Sequence, residues 1–101
     1  MATGPNAANQ VSLAVSASVV LYTTRFCPYC IAARRLLQSK SVEYTDIAVD
    51  GDVSLRREME QKSGQRTVPQ IWIDEQHVGG YDDLAALEMR GELDGMLGGL
   101  Q

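Results

Sequence analysis

The chain has 101 residues, 45% of them hydrophobic, with a formal net charge of -4 and a pI near 4.8. That length allows one domain with one core, and the apolar content argues against disorder. The acidic balance lacks the basic footprint of a nucleic-acid binder, and no run reaches the roughly 20 apolar residues of a membrane span.

Residues 1–16 read as an N-terminal extension outside a functional domain that runs from 17 to 101. "MATGPNAANQ" has the composition of a tail, while "VSLAVSAS" alternates apolar and small polar residues, as an added edge strand or a loosely packed segment would. Residues 1 to 24 carry no charged side chain, so the positive start of a secretory signal is missing. A cytoplasmic protein is expected, in a compartment that keeps thiols reduced.

Ser18 to Thr24, "SVVLYTT", is β-branched and apolar and predicts a short buried strand. After the only two cysteines, Cys27 and Cys30, "IAARRLLQSK" sets Ala33, Leu36 and Leu37 on one helical stripe. Arg34, Arg35 and Lys40 fall toward the helix end, where they suit the negative pole of its dipole. Val42 to Asp50 predicts a second strand, parallel to the first across a βαβ unit. Asp50, Gly51 and Asp52 form a turn and offer an N-cap to a second helix, "VSLRREMEQKSG", with Gly64 as its stop. "VPQIWID" and "QHVGG" predict an antiparallel hairpin turning at Asp74-Glu75, with Ile71 and Trp72 packed in the sheet. "DDLAALEMRG" predicts a third helix, capped by Asp82 or Asp83 and ended by Gly91. "ELDGMLGG" adds a further turn that points Leu93, Met96 and Leu97 inward. The order β-α-β-α-β-β-α predicts an α/β fold, a four-stranded mixed sheet with helices on its faces.

The cysteine pair admits a metal clip, a structural bridge or a redox couple. Structural zinc needs four nitrogen or sulfur ligands, whereas the chain offers two cysteines and a single histidine, His77, so no metal is expected. A lone bridge closing so short a loop would add little entropy. His77 reads as an edge residue of the hairpin. A redox pair fits the position, after the first strand of a βαβ unit and at the opening of its helix. Pro28 suits the first helical turn, where the amides lack intrahelical partners. The N–H groups of Tyr29 and Cys30 are then expected to point at the Cys27 sulfur and, with the helix dipole and nearby Arg25, to favour thiolate. A sulfur that is a good thiolate also leaves quickly, which suits a cycle of attack and expulsion. Cys30, one turn in, should be more buried and less reactive.

"CPYC", "TVPQIWID" and "GGYDDL", in this order and spacing, resemble the three signatures of the dithiol glutaredoxins, and among them the small bacterial glutaredoxins of the third type. The similarity covers about Ser18 to Leu97. It implies a thioredoxin-like fold with strand order 2-1-3-4, and reduction of protein-glutathione mixed disulfides and protein disulfides with glutathione as electron donor. By the same resemblance Cys27 is the nucleophile and Cys30 the resolving cysteine. Tyr29 lines the glutathione groove, and Pro69 of Thr67-Val68-Pro69 is a cis-proline. The Val68 backbone pairs with the cysteinyl part of glutathione like an added strand. Gly79 and Gly80 allow close backbone approach, and the amides of Asp82 and Asp83 receive the glutamyl carboxylate.

Two positions depart from the family pattern. Thr24 stands where many members have lysine, which leaves Arg25, with Arg66 as a second candidate, to meet the glycine carboxylate. Tyr81 stands where a small residue or cysteine is common. The implied partners are glutathione and glutathionylated or disulfide-containing proteins, with ribonucleotide reductase a candidate. A monomer is expected, with no nucleic acid and no membrane. Two alternatives share the fold: a redoxin fed by a thioredoxin reductase, and a protein that holds an iron-sulfur cluster between two monomers. The carboxylate-binding helix start argues against the first, Pro28 and Cys30 against the second.

Overall fold

The computed structural model describes residues 17–98. The predicted N-terminal extension and nearly all of the "VSLAVSAS" segment lie outside the described residues. The elements in chain order are β1 (Val19–Thr23), α1 (Pro28–Ser39), β2 (Thr45–Ala48), α2 (Val53–Ser63), β3 (Gln70–Ile73), β4 (Gln76–Gly79), α3 (Tyr81–Met89) and α4 (Leu93–Met96). The four strands form one sheet in the order β2-β1-β3-β4, as the resemblance implies. β1 and β2 are parallel, and β3 is antiparallel to both β1 and β4.

β1 is apolar up to Thr23 because both faces of the sheet are covered there. Val19 and Leu21 point to a core shared with Ala33 and Leu37 of α1, Ile71 and Ile73 of β3, Leu84 of α3, and Leu93 and Leu97. Val20 and Tyr22 point the other way, to a smaller cluster with Val49, Met59 and Trp72. Leu21, Leu37, Leu84 and Leu93 are wholly buried; each such side chain contributes roughly 1.5–3 kcal/mol through burial.

The expected boundaries hold at α2, where the Asp52 carboxylate accepts from the Leu55 N–H at 3.0 Å and Gly64 closes the helix at φ 72°. Asp74 and Glu75 turn the hairpin with φ of 51° and 67°, the left-handed pair of a type I′ turn. β2 is shorter than the predicted Val42 to Asp50: its register with β1 runs only from Val20↔Thr45 to Thr23↔Ala48. α3 begins earlier than predicted. Gly80 is its N-cap, and Asp82 and Asp83 lie inside the first turn instead of capping it.

Arg34 and Lys40, expected to suit the helix dipole, instead answer to carboxylates on other elements. Lys40 Nζ lies 2.7 Å from Glu88 and 2.8 Å from Asp94, tying the end of α1 to α3 and α4. Arg34 sits mid-helix, with Nε 2.6 Å from Asp46 Oδ2, and its Nη2 donates to Thr23 Oγ1 at 3.0 Å. The buried Thr23 hydroxyl donates in turn to Asp46 Oδ1 at 2.5 Å. α1, β1 and β2 are therefore pinned through one carboxylate. Asp46→Ala would leave a largely covered guanidinium without its counter-ion, and the expected loss is about 2 kcal/mol of stability. Urea denaturation should show a lower midpoint with an unchanged slope, and Asp46→Asn should recover part of the loss.

Candidate active site

The residues after β1 leave the sheet at Thr24 and re-enter regular structure at Cys27, the N-cap of α1, in extended backbone (φ -88°, ψ 122°). Pro28 occupies the first turn as expected, and the Ile31 N–H donates to the Cys27 carbonyl at 3.0 Å. Cys27 is partly exposed and Cys30 is wholly buried; both are free thiols. The expected amide donors do not reach the Cys27 sulfur: among the described residues no side-chain capping bond forms at this helix start. The sulfur instead lies 3.9 Å from the Val68 carbonyl oxygen, toward which its thiol points.

Burial pushes the Cys30 thiol up to about 11, and the neighbouring Cys27 sulfur adds to the rise. The Thr24 backbone and the Arg34 charge pull the other way and do not offset it. One sulfur of the pair is thus accessible, and the other is protonated and covered at neutral pH.

Val68 belongs to the segment that leads into β3. The Val68-Pro69 bond is cis and Pro69 is buried. Beside this segment runs a groove of about 400 Å³. Its base is Gln65, Thr67, Val68 and Pro69, and Tyr29 of α1 borders it. Gly80, Tyr81, Asp82 and Asp83 at the start of α3 close the opposite side. The fold therefore brings together Tyr29, the Thr67–Pro69 segment and the α3 start, which are far apart in sequence. The N–H groups in the first turn of a helix have no intrahelical acceptor, and those of Asp82 and Asp83 fall there.

Two glycines divide their work differently from the expectation. Gly79 has φ 118°, and a Cβ there would collide with the Asp83 carboxylate; its bareness makes room for that side chain. Asp83 Oδ2 then accepts from the Gly80 N–H at 3.0 Å. A Cβ on Gly80 would meet the Pro69 carbonyl oxygen at 3.5 Å, so this position sets how closely α3 approaches the proline segment.

Neither basic candidate, Arg25 or Arg66, is among the groove-lining residues. Arg25 Nε lies 3.1 Å from Asp50 Oδ2, and this guanidinium holds the Asp50 carboxyl below its usual range. The Arg66 carbonyl accepts from Arg56 Nη1 at 3.2 Å. His77, expected at the hairpin edge, reaches inward: its Nε2 lies 2.7 Å from Gln70 Oε1, and its ring packs on Trp72 at 4.8 Å. Gln65 is a groove residue that sequence reasoning missed. Its only local signal was a polar side chain just after the helix stop and just before "TVP".

The family model described as Glutaredoxin matches residues 19–78. The chain belongs to the glutaredoxin family. A Pseudomonas aeruginosa protein named glutaredoxin is 60% identical over 79 residues, covering 78% of this chain and 94% of that relative. Glutaredoxin 3 of Escherichia coli K12 is 52% identical over 81 residues, covering 80% and 98%. Among solved structures, the glutaredoxin from Brucella melitensis superposes with a TM-score of 0.74 at 42% identity, covering 94% of this chain and 95% of that one. A buckwheat glutaredoxin-glutathione complex gives 0.75 at 29% identity, covering 85% and 81%. The fold is the thioredoxin-like fold of these glutaredoxins, and the enzyme is a glutathione-dependent thiol-disulfide oxidoreductase. Among the described residues no helix is long and apolar enough to cross a membrane.

The contrast between the two thiols is directly measurable. At pH 8, iodoacetamide should label Cys27 and spare Cys30, as read by peptide mass spectrometry. Burial, the largest cause of the raised Cys30 pKa, persists in a Cys27→Ser variant, so Cys30 there should stay slow to alkylate at neutral pH and speed up as the pH rises, at a lower pH than in the wild type, where the Cys27 sulfur adds to the rise.

Proposed function

We propose that this glutaredoxin reduces protein-glutathione mixed disulfides with Cys27 alone and protein disulfides with Cys27 and Cys30 together. The observation that carries the reading is the asymmetry of the pair: a partly exposed Cys27 sulfur 3.9 Å from the Val68 carbonyl at the groove, and a wholly buried Cys30 one turn behind it.

In the first reaction the Cys27 thiolate attacks the glutathionyl sulfur of the substrate and expels the protein thiolate. A second glutathione thiolate attacks the resulting Cys27-glutathione disulfide, releasing glutathione disulfide and restoring Cys27. In the second reaction Cys27 forms a mixed disulfide with the substrate protein. Cys30 then attacks the Cys27 sulfur and expels the substrate thiolate. Two glutathione molecules reduce the resulting Cys27-Cys30 disulfide. A free Cys27 sulfur helps keep Cys30 protonated. Once Cys27 is in a mixed disulfide that contribution is gone, while the Arg34 charge still favours the Cys30 thiolate, so resolution is favoured after attack.

Glutathione would lie along the groove. The Val68 backbone would pair with its cysteinyl unit, beside Tyr29, Thr67 and Pro69. Gly80 and Tyr81 would flank its glutamyl end, and the first-turn amides of Asp82 and Asp83 would receive the glutamyl carboxylate. Arg25 would join only by exchanging Asp50 for the ligand's other carboxylate. Glutathionylated and disulfide-containing proteins are the proposed substrates, with ribonucleotide reductase among the candidates. The proposed setting is the reducing cytoplasm, with a monomer whose functional domain begins near residue 17.

Cys27→Ser should abolish both activities. Cys30→Ser should retain deglutathionylation while losing protein-disulfide reduction by at least a hundredfold. A glutathione-coupled assay on a glutathionylated peptide and on a disulfide-bonded protein separates the two. Full activity in Cys27→Ser would sink the mechanism.

A further inference from the structure

Arg35 is a cation of α1 that the chemistry above leaves unused. Arg34 and Lys40 are paired with carboxylates, whereas Arg35 is exposed and has no carboxylate partner among the described residues. It lines a cleft of about 580 Å³ with Pro28, Ile31, Ala32, Leu36 and Tyr81. Among the described residues of that lining, Arg35 alone is charged, and Asp82 and Asp83 line the groove instead.

The cleft is continuous with the active site. Pro28 follows Cys27 directly, and Cys27, Ile31 and Arg35 stand four residues apart, which sets them on one stripe of the helix surface. Tyr81 borders both this cleft and the groove beside Val68, and so separates the two. The fold leaves large apolar side chains uncovered here. Phe26 is 86% exposed, Tyr29 60% and Ile31 39%, and all three lie within four residues of Cys27. Apolar surface beside a reactive sulfur, with an unpaired cation at its far end, has the character of a protein-docking surface.

The spacing specifies the partner. Ile31 lies about 6 Å and Arg35 about 12 Å along α1 from Cys27. In an extended chain, the side chains two and four residues from a cysteine share its face, about 6.6 and 13 Å away. The two ladders match. A substrate whose cysteine meets Cys27 can therefore lay its second flanking residue on Ile31 and its fourth beside Arg35. In a chain of net charge -4, an unpaired arginine at that point is a specific mark for a carboxylate.

We propose that the α1 cleft docks the protein half of the substrate, selecting an extended segment with an apolar residue two positions and an acidic residue four positions from the reacting cysteine. This rests on the reading of the groove as the glutathione site: glutathione fills one side of Tyr81, and the substrate chain takes the other.

The test uses glutathionylated peptides with leucine two residues and aspartate four residues from the cysteine, on both sides of it. Counterparts carry lysine for the aspartate or serine for the leucine. The wild type should favour aspartate over lysine in kcat/KM by about threefold to fivefold at low salt, the scale of an exposed ion pair. That preference should fade at about 0.5 M salt, and Arg35→Glu should favour lysine instead. Leucine over serine should be worth about fivefold to tenfold, and Ile31→Ser should erase most of that gain. Glutathionylated cysteine, which has no flanking chain, should be turned over equally by all three proteins. An unchanged peptide preference in Arg35→Glu, or equal losses by the variants on every substrate, overturns the proposal. A wild type inactive on glutathionylated cysteine would instead overturn the glutathione reading itself.

Discussion

The antiparallel register of β1 and β3, which sets Tyr22 opposite Gln70, is the constraint on which the site depends. It makes β1 end where β3 begins. Whatever follows β1 must therefore meet whatever precedes β3, and these are Cys27 and the Val68-Pro69 segment. β4 returns along β3 and ends with Gly79 opposite Ile71, so Gly80 and the start of α3 arrive at the same end of the sheet. Three stretches, the first of them dozens of residues before the other two, converge without any of them forming a long loop. Apolar clusters cover both faces of the sheet and pack its strands together where the three stretches meet.

Within this frame the two sulfurs differ through their depth on one helix. Cys27 is the N-cap, half outside the helix and in contact with the proline segment. Cys30 is one turn along, on the face of α1 that also carries Ala33 and Leu37 into the core. Burial alone accounts for most of the difference in their chemistry. The tilt of α1 that maintains it is held by Arg34 and Asp46 near the active end and by Lys40 with Glu88 and Asp94 at the far end. Charges placed in sequence as if to suit a helix dipole serve here as cross-links between elements. The same diversion removes Arg25 from the groove, since Asp50 holds it.

Much of the fold was legible because its signals are local. The β-branched run at Val19–Thr23, the Asp52 cap, the Gly64 stop and the turn at Asp74-Glu75 each depend on neighbours within a few residues. The groove candidates other than Arg25 were legible for another reason: three short motifs in the right order carried the family resemblance. Several of the misreadings concern which partner a side chain finds. Asp83 looks like a cap in sequence but bonds back to Gly80, in space left by Gly79. His77 lies on the edge strand β4, as read, but its ring also meets Gln70 of β3. Gln65 looks like loop polarity but is oriented from below by a residue five positions on.

Sequence by itself determined the order of the elements, the α/β class and the pair of cysteines at a helix start, because backbone propensity, capping and hydrophobic period act over one or two turns of chain. Tertiary structure alone decided which sulfur is covered, where the Cys27 thiol points and which cations are already paired. Those outcomes depend on burial and on hydrogen-bond partners from distant elements, and no local pattern encodes the distance between them.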